Sequence, residues 1–257
     1  MDFVIYEVRD RIGFITLNRP DKRNALNGEL VSGLKSLLTK AEADETVKVI
    51  VLRAKGETFC SGADLQSLQR LQGFSYEENH EDSLRLKELF LQIYALKKIV
   101  IAQVQGHALA GGCGLACVCD FVFAAPQAKM GYTEVKIGFV PALVMVFLIR
   151  KIGEQKARRL LLSGDLISGE ETVRMELVNQ LVEKDLLQDF VIDFARKLIE
   201  NNSTQSMELT KQMIARVQSL SLHESLEYAA SMNAQARETA DCKRGVAAFL
   251  NKDKLTW

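Results

Sequence analysis

The sequence predicts an α/β domain that gives way to an all-helical segment. Three observations carry that expectation. The runs "VKVIVLRA", "KIVIAQVQG" and "DFVFAAP" are apolar almost throughout, as strands buried on both faces of a sheet are. The stretches between them space their apolar residues as helices do. From about residue 185 the helical spacing continues to the end of a 257-residue chain, long enough for one large domain or a domain with an appendage.

Taken in order, "FVIYEVRDRIGFITLN" is β-rich and broken at Arg9–Arg11, as in a hairpin. "RPDKRNAL" is a polar loop, and Asn27 stands where it can cap a helix carrying Leu30, Leu34, Leu37, Leu38 and Ala41 on one face. "VKVIVLRA" then runs into the turn "KGETFCSGADL". The segment "SYEENHED", residues 75–82, reads as a polar loop flanking a pocket, and residues 83–97 read as a helix. "KIVIAQVQG" is the next strand, and "DFVFAAP" follows a segment rich in glycine and cysteine. "LLQDFVIDFARKLIEN", "TQSMELTKQMIARV" and "SLHESLEYAASMNAQARE" are helices. The boundary falls near residue 190, with a core over 1–190 and a helical segment over 191–257.

Charge and cysteine usage narrow the function classes. With 33 basic and 33 acidic side chains interspersed, the chain gives no electrostatic reason to expect nucleic acid or an anionic membrane. The apolar stretch from Val140 to Ile149 is too short to span a bilayer and is closed by Arg150 and Lys151. "MDFVIYEVRD" reads as a strand and lacks the features of a signal peptide, so a reducing cytoplasm is the expected location. Five cysteines do not suggest a disulfide framework. Cys113 and Cys117 share a helical face with no C-x-x-C pair nearby, which favours core thiols over a metal site. His107, at a strand end, fits hydrogen-bonded structure better than catalysis.

Two loops share one form. "FCSGADL" follows the strand ending at Ala54, and "ALAGGCGLA" follows the strand ending near Gly106. Each places small residues at a strand end and then begins a helix, which points free backbone N–H groups outward where the helix dipole favours negative charge. Two such donors converging would form an oxyanion hole. Neither loop is a phosphate cradle, since no Lys-Ser/Thr follows the glycines.

The segments "GFITLNRPDKRNAL", "FCSGADL", "ALAGGCGLACVCD", "GYTEVKIGFVPA" and "KRGVAAFLNK" occur in an order and spacing that resemble the crotonase superfamily, the enoyl-CoA hydratases and isomerases. That resemblance covers essentially the whole chain. It implies a ββα spiral core with a C-terminal helical oligomerisation segment that completes the coenzyme A site. It also implies a homotrimer or dimer of trimers, and no cofactor or metal, coenzyme A being part of the substrate. The oxyanion donors would be the N–H groups of Ala63 and Gly111, holding the thioester oxygen while an enolate forms.

Members that hydrate usually carry two glutamates. At the first position, three residues after Gly111, this chain has Gly114; at the second it keeps Glu134, the candidate acid–base residue. One carboxylate suffices to move a proton between carbons of an unsaturated acyl chain, so double-bond migration is preferred. Hydration by a single glutamate and an idle acyl-CoA-binding protein are the alternatives. Lys22, Arg23 and Lys252 would pair with coenzyme A phosphates. Phe249 would flank the ligand, and Ala25, Asp64, Leu65 and Gly112 would form its walls. The run "ALVMVFLIRKIGE", 142–154, stands where many hydratases have a glycine-rich segment, which reshapes that end of the pocket.

Overall fold

The structure is a computed structural model and describes residues 2–257. It opens with an antiparallel pair, β1 (Val4–Arg9) and β2 (Ile12–Leu17). Asp10 and Arg11 join them at φ 51° and 65°. Positive φ at both central residues gives a turn whose twist matches that of the strands. The helix α1 (Gly28–Ala43) begins where Asn27 accepts the Leu30 N–H at 2.9 Å. It leads to β3 (Val49–Ala54), α2 (Leu65–Leu71) and α3 (Tyr76–Ala95). Next come β4 (Ile99–Val104), β5 (Ala108–Leu109), α4 (Gly111–Cys117), β6 (Phe121–Ala124) and β7 (Met130–Gly131). Then follow α5 (Ala142–Ile152), α6 (Glu154–Ser163), β8 (Leu166–Ile167), α7 (Gly169–Arg174) and β9 (Gln180–Leu181). The chain closes with α8 (Lys184–Asn201), α9 (Thr204–Val217), α10 (Leu222–Glu238) and α11 (Ala240–Asn251).

The main sheet runs β1-β2-β3-β4-β6-β9 and is parallel from β2 onward; β5, β7 and β8 form a smaller one. Successive strand residues face opposite sides, and both sides are covered. Ile15, Leu17, Ile50 and Leu52 pack with Leu30, Leu34 and Leu38 of α1. Phe14, Val49, Val51 and Ile101 pack with Leu187, Val191, Ala195 and Ile199 of α8. That arrangement explains why the strands are apolar throughout.

Two expectations shift. Residues 76–82 are helical, not a loop: Ser75 accepts the Glu78 N–H while the Glu78 carboxylate accepts the Ser75 N–H, a capping box that starts α3 at Tyr76. The boundary also lies later than residue 190, because α8 runs unbroken through it and its apolar face belongs to the sheet core. The helical segment proper is α9 to α11. Lys211 docks it to the core, its buried Nζ donating to Ile93 O at 3.2 Å, Lys98 O at 2.9 Å and Asp120 Oδ2 at 2.7 Å. Among the described residues no helix is long and apolar enough to cross a membrane.

β2, β3 and β4 end at Leu17, Ala54 and Val104 on one edge of the sheet. The loops leaving that edge carry both glycine motifs. Ligands of open α/β sheets bind at this carboxyl edge.

Candidate active site

The loop after β2 is set by side chains that the sequence reading did not single out. Asn24 is fully buried and in a left-handed conformation. Its amide donates to Lys55 O at 2.9 Å and Thr58 O at 2.8 Å, and its oxygen accepts the Arg19 N–H. This fastens residues 20–26 to the loop after β3. Ser61 N–H then donates to Arg23 O, Leu26 N–H to Gly62 O, and Asp64 N–H to Leu26 O. Leu26 thus brackets Ala63 on both sides. The Ala63 N–H itself donates to no backbone carbonyl among the described residues.

The second loop meets the first backbone to backbone. Leu109 N–H donates to Cys60 O at 2.9 Å, and a Cβ placed at Gly62 would lie 3.5 Å from Gly111 N. Gly111 is the first residue of α4, so its N–H has no intrahelical partner. The preceding Ala110 sits at φ 50°, ψ −124°, a conformation that costs about 1–3 kcal/mol and tends to occur at functional sites. The structure therefore brings the turn that carries Ala63 against the turn that carries Gly111, and neither N–H donates to a backbone carbonyl among the described residues.

Gly112 has a different reason to be glycine. Its Cβ would stand 2.2 Å from Cys60 O, so packing between the loops excludes a side chain, and this face of Gly112 is not a ligand wall. Asp64, expected as a wall too, is spent on structure. It is buried, pairs with Arg19 at 2.7 Å, and accepts the Gln66 and Ser67 N–H groups as the N-cap of α2. Ala25 is buried with its carbonyl accepting from Arg19, while Leu65 is 76% exposed at the start of α2. Lys22 and Arg23 are exposed on the loop bound to Ser61 and Gly62, and among the described residues neither forms an ion pair.

Glu134 arrives beside these loops through the small sheet. β7 runs parallel to β5, pairing Leu109 with Gly131, and Ala110 N–H donates to Gly131 O at 2.7 Å. Continuing both strands sends Gly111 and Glu134 off the same end. Glu134 begins a 3-10 turn ending at Gly138 (φ 76°). Its Oε2 is buried with no hydrogen-bond partner, and burial raises the carboxyl above its ordinary value. Phe139 and Val140, just beyond this turn, face outward, 51% and 66% exposed.

The remaining candidates lie apart. His107 is exposed, its Nδ1 accepting the Lys129 N–H. Cys113, Cys117 and Cys119 are buried in the core as free thiols, and burial pushes Cys119 up to about 12. Phe249, 82% exposed, and Lys252, in a left-handed C-cap, sit on α11. That helix packs on α9 and α10, and its Gly245 lies against Trp257. Trp257 O accepts from Arg11 in the β1–β2 turn, at the opposite edge of the sheet. Within one chain Phe249 and Lys252 are not gathered with Ala63, Gly111 and Glu134.

An α/β frame presenting paired backbone donors beside one desolvated carboxylate is equipped to hold an oxyanion while a proton moves. The enoyl-CoA hydratase/isomerase family model matches residues 7–257, and the chain belongs to that family. It is 39% identical over 244 residues to a protein of Thermus thermophilus provisionally named an enoyl-CoA hydratase, covering 95% of this chain and 96% of that one. Its fold matches the crystal structure of a provisionally named enoyl-CoA hydratase/isomerase (crotonase) from Legionella pneumophila with a TM-score of 0.89, at 36% identity and 98% coverage of both chains. It also matches an enoyl-CoA hydratase from Mycobacterium smegmatis with a TM-score of 0.93, at 27% identity, covering 99% and 98%.

Proposed function

We propose that the protein acts on an unsaturated acyl-CoA thioester and moves its double bond, with Glu134 as the only carboxylate at the reacting carbons. The observation that carries this reading is at Gly114, where a glutamate would be needed for a two-carboxylate site. A Cβ there would lie 2.3 Å from Val144 Cγ1, so the position is occupied by packing as well as lacking an acid.

The geometry supports the following course. The thioester oxygen accepts from Ala63 and Gly111 N–H. Ionised Glu134 takes a proton from C2 of a 3-enoyl chain, and the C–H electrons pass into an enolate held by the two donors. The protonated carboxyl then returns the proton to C4, leaving a conjugated 2-enoyl thioester. A carboxyl raised by burial is a better base than an ordinary glutamate and, once protonated, a sufficient acid. Lys22 and Arg23 meet coenzyme A phosphates at the rim, and coenzyme A comes in as part of the substrate. The exposure of Phe249 and Lys252 on α11 suits a trimer in which they serve a neighbouring copy's site.

Hydration by Glu134 alone is the second reading, favoured by the hydratase names of the relatives. The experiment is to follow a 3-enoyl-CoA and a 2-enoyl-CoA by mass with wild type and Glu134→Gln. A conjugated product without added water, lost in the variant, is expected. Rapid formation of 3-hydroxyacyl-CoA from the 2-enoyl substrate, also lost in the variant, would replace isomerisation with one-glutamate hydration.

A further inference from the structure

We propose that Val144 is a specificity-determining residue, which keeps the space beside Gly114 closed and apolar and so lets the conjugated 2-enoyl thioester formed by proton return leave without addition of water. The inference rests on the reading of Glu134 and the two backbone donors given above.

Gly111 and Gly114 lie three residues apart on α4 and therefore on one face of it, one above the other. Whatever fills the space beside Gly114 is thus a neighbour of the oxyanion donor. That space is filled from two elements. Val144, buried in the first turn of α5, would meet a Cβ at Gly114 with its Cγ1 at 2.3 Å and its own Cβ at 3.2 Å. Phe90 of α3 closes in with Cζ at 3.3 Å. Phe147, one turn along α5, backs the wall by meeting Phe90 edge-on at 6.2 Å between ring centroids.

Two consequences follow from these distances. With valine at 144, position 114 accepts only glycine, because a contact of 2.3 Å is far inside van der Waals range and Val144 is held by the helix that carries it. The departure at Gly114 and the apolar run of α5 are one coupled feature. The wall also gives water nothing to hold: an ordered water needs two to four polar partners, and Val144 and Phe90 supply none. Addition of water requires its oxygen to bond C3 while the C2–C3 π electrons move into the enolate and a proton then joins C2. With no polar group on this wall to hold the water, the 2-enoyl thioester formed when Glu134 returns its proton leaves unhydrated.

The test uses Val144→Thr, Val144→Ala, Gly114→Ala and the Gly114→Ala/Val144→Ala pair, each checked for folding by thermal denaturation. Hydration and isomerisation are measured together in 18O-labelled water, and exchange at C2 is measured in deuterated water. Gly114→Ala should lower the Tm, and adding Val144→Ala should restore most of the loss. Val144→Thr keeps the side-chain outline and puts a hydroxyl on the wall, so it should raise the ratio of hydration to isomerisation by about tenfold or more. The proposal is overturned if Val144→Thr and Val144→Ala fold, turn over a 3-enoyl-CoA and leave the ratio unmoved, or if Gly114→Ala is as stable as wild type. Absence of any double-bond migration from a 3-enoyl-CoA, together with absence of C2 exchange, in the folded wild type would instead bring down the enolate reading itself, and this proposal with it.

Discussion

Replacing Asp64 by alanine should cost the protein both stability and turnover, although no role for its carboxylate toward a ligand is needed. The pair with Arg19 spans 2.7 Å, with side-chain exposures of 11% and 7%. Loss of the N-cap of α2 is worth about 1 kcal/mol. Stranding a buried guanidinium costs about 3 kcal/mol more, softened because Arg19 keeps its bond to Ala25 O. The sum is roughly 4 kcal/mol. Arg19→Met/Asp64→Ala leaves no charge stranded and should lose less than the two single changes added together. Urea midpoints of the four proteins measure this.

The sign with pH is fixed by the same contacts. Burial alone would raise Asp64, but the Arg19 hydrogen bond and charge, with the N–H groups of Ser67 and Gln66, outweigh it and hold the carboxyl below 3.8. A depressed folded-state value means that the stabilisation is full above the unfolded value and is lost as pH falls through the folded one. The gap between wild type and Asp64→Ala should therefore close in acid. Because Leu26 ties Gly62 and Asp64 around Ala63, kcat should also fall, up to about a hundredfold, more than KM rises. A loss of stability under about 1 kcal/mol, or a gap that does not narrow in acid, refutes the assignment.

Other outcomes are as definite. Glu134→Gln should abolish turnover while acyl-CoA binding persists. The wild-type acid limb of kcat/KM should have its midpoint above 4.5, because the ionised base is required and burial raises it. Gly111→Val, whose Cβ would lie 3.3 Å from Leu26 Cδ1, should fold with strain and lose about a hundredfold or more in kcat. Gly112→Ala should fail to fold stably, since its Cβ meets Cys60 O at 2.2 Å. Coenzyme A affinity of Lys22→Ala and Lys252→Ala, measured at low and high salt, should fall most at low salt if these cations meet phosphate.

Local chemistry made much of this protein legible in its sequence. The hairpin at Asp10–Arg11, the Asn27 cap and the buried strands follow from turn residues, a capping side chain and unbroken apolar runs. The two small-residue loops were also legible, because a strand-to-helix junction exposes N–H groups wherever it occurs, whereas Glu134 stood out only through the motif that resembles the family. Ser75 and Glu78 lay open to the same kind of reading, and their capping box was the signal for helix over 76–82.

What only the tertiary structure decided depends on distances between residues far apart in the chain. Composition does not show that Asp64 is held by Arg19, 45 residues away, or that Gly112 is small because of Cys60 and not a ligand. Nor does periodicity show that α8 belongs to the sheet core, since the faces of α8 and α9 carry similar spacing and differ in what they pack against. The missing acid at Gly114 could be read from one residue. That Val144 fills the space beside Gly114 could not, because that depends on α5 laying a methyl group within 2.3 Å of where a side chain at 114 would begin.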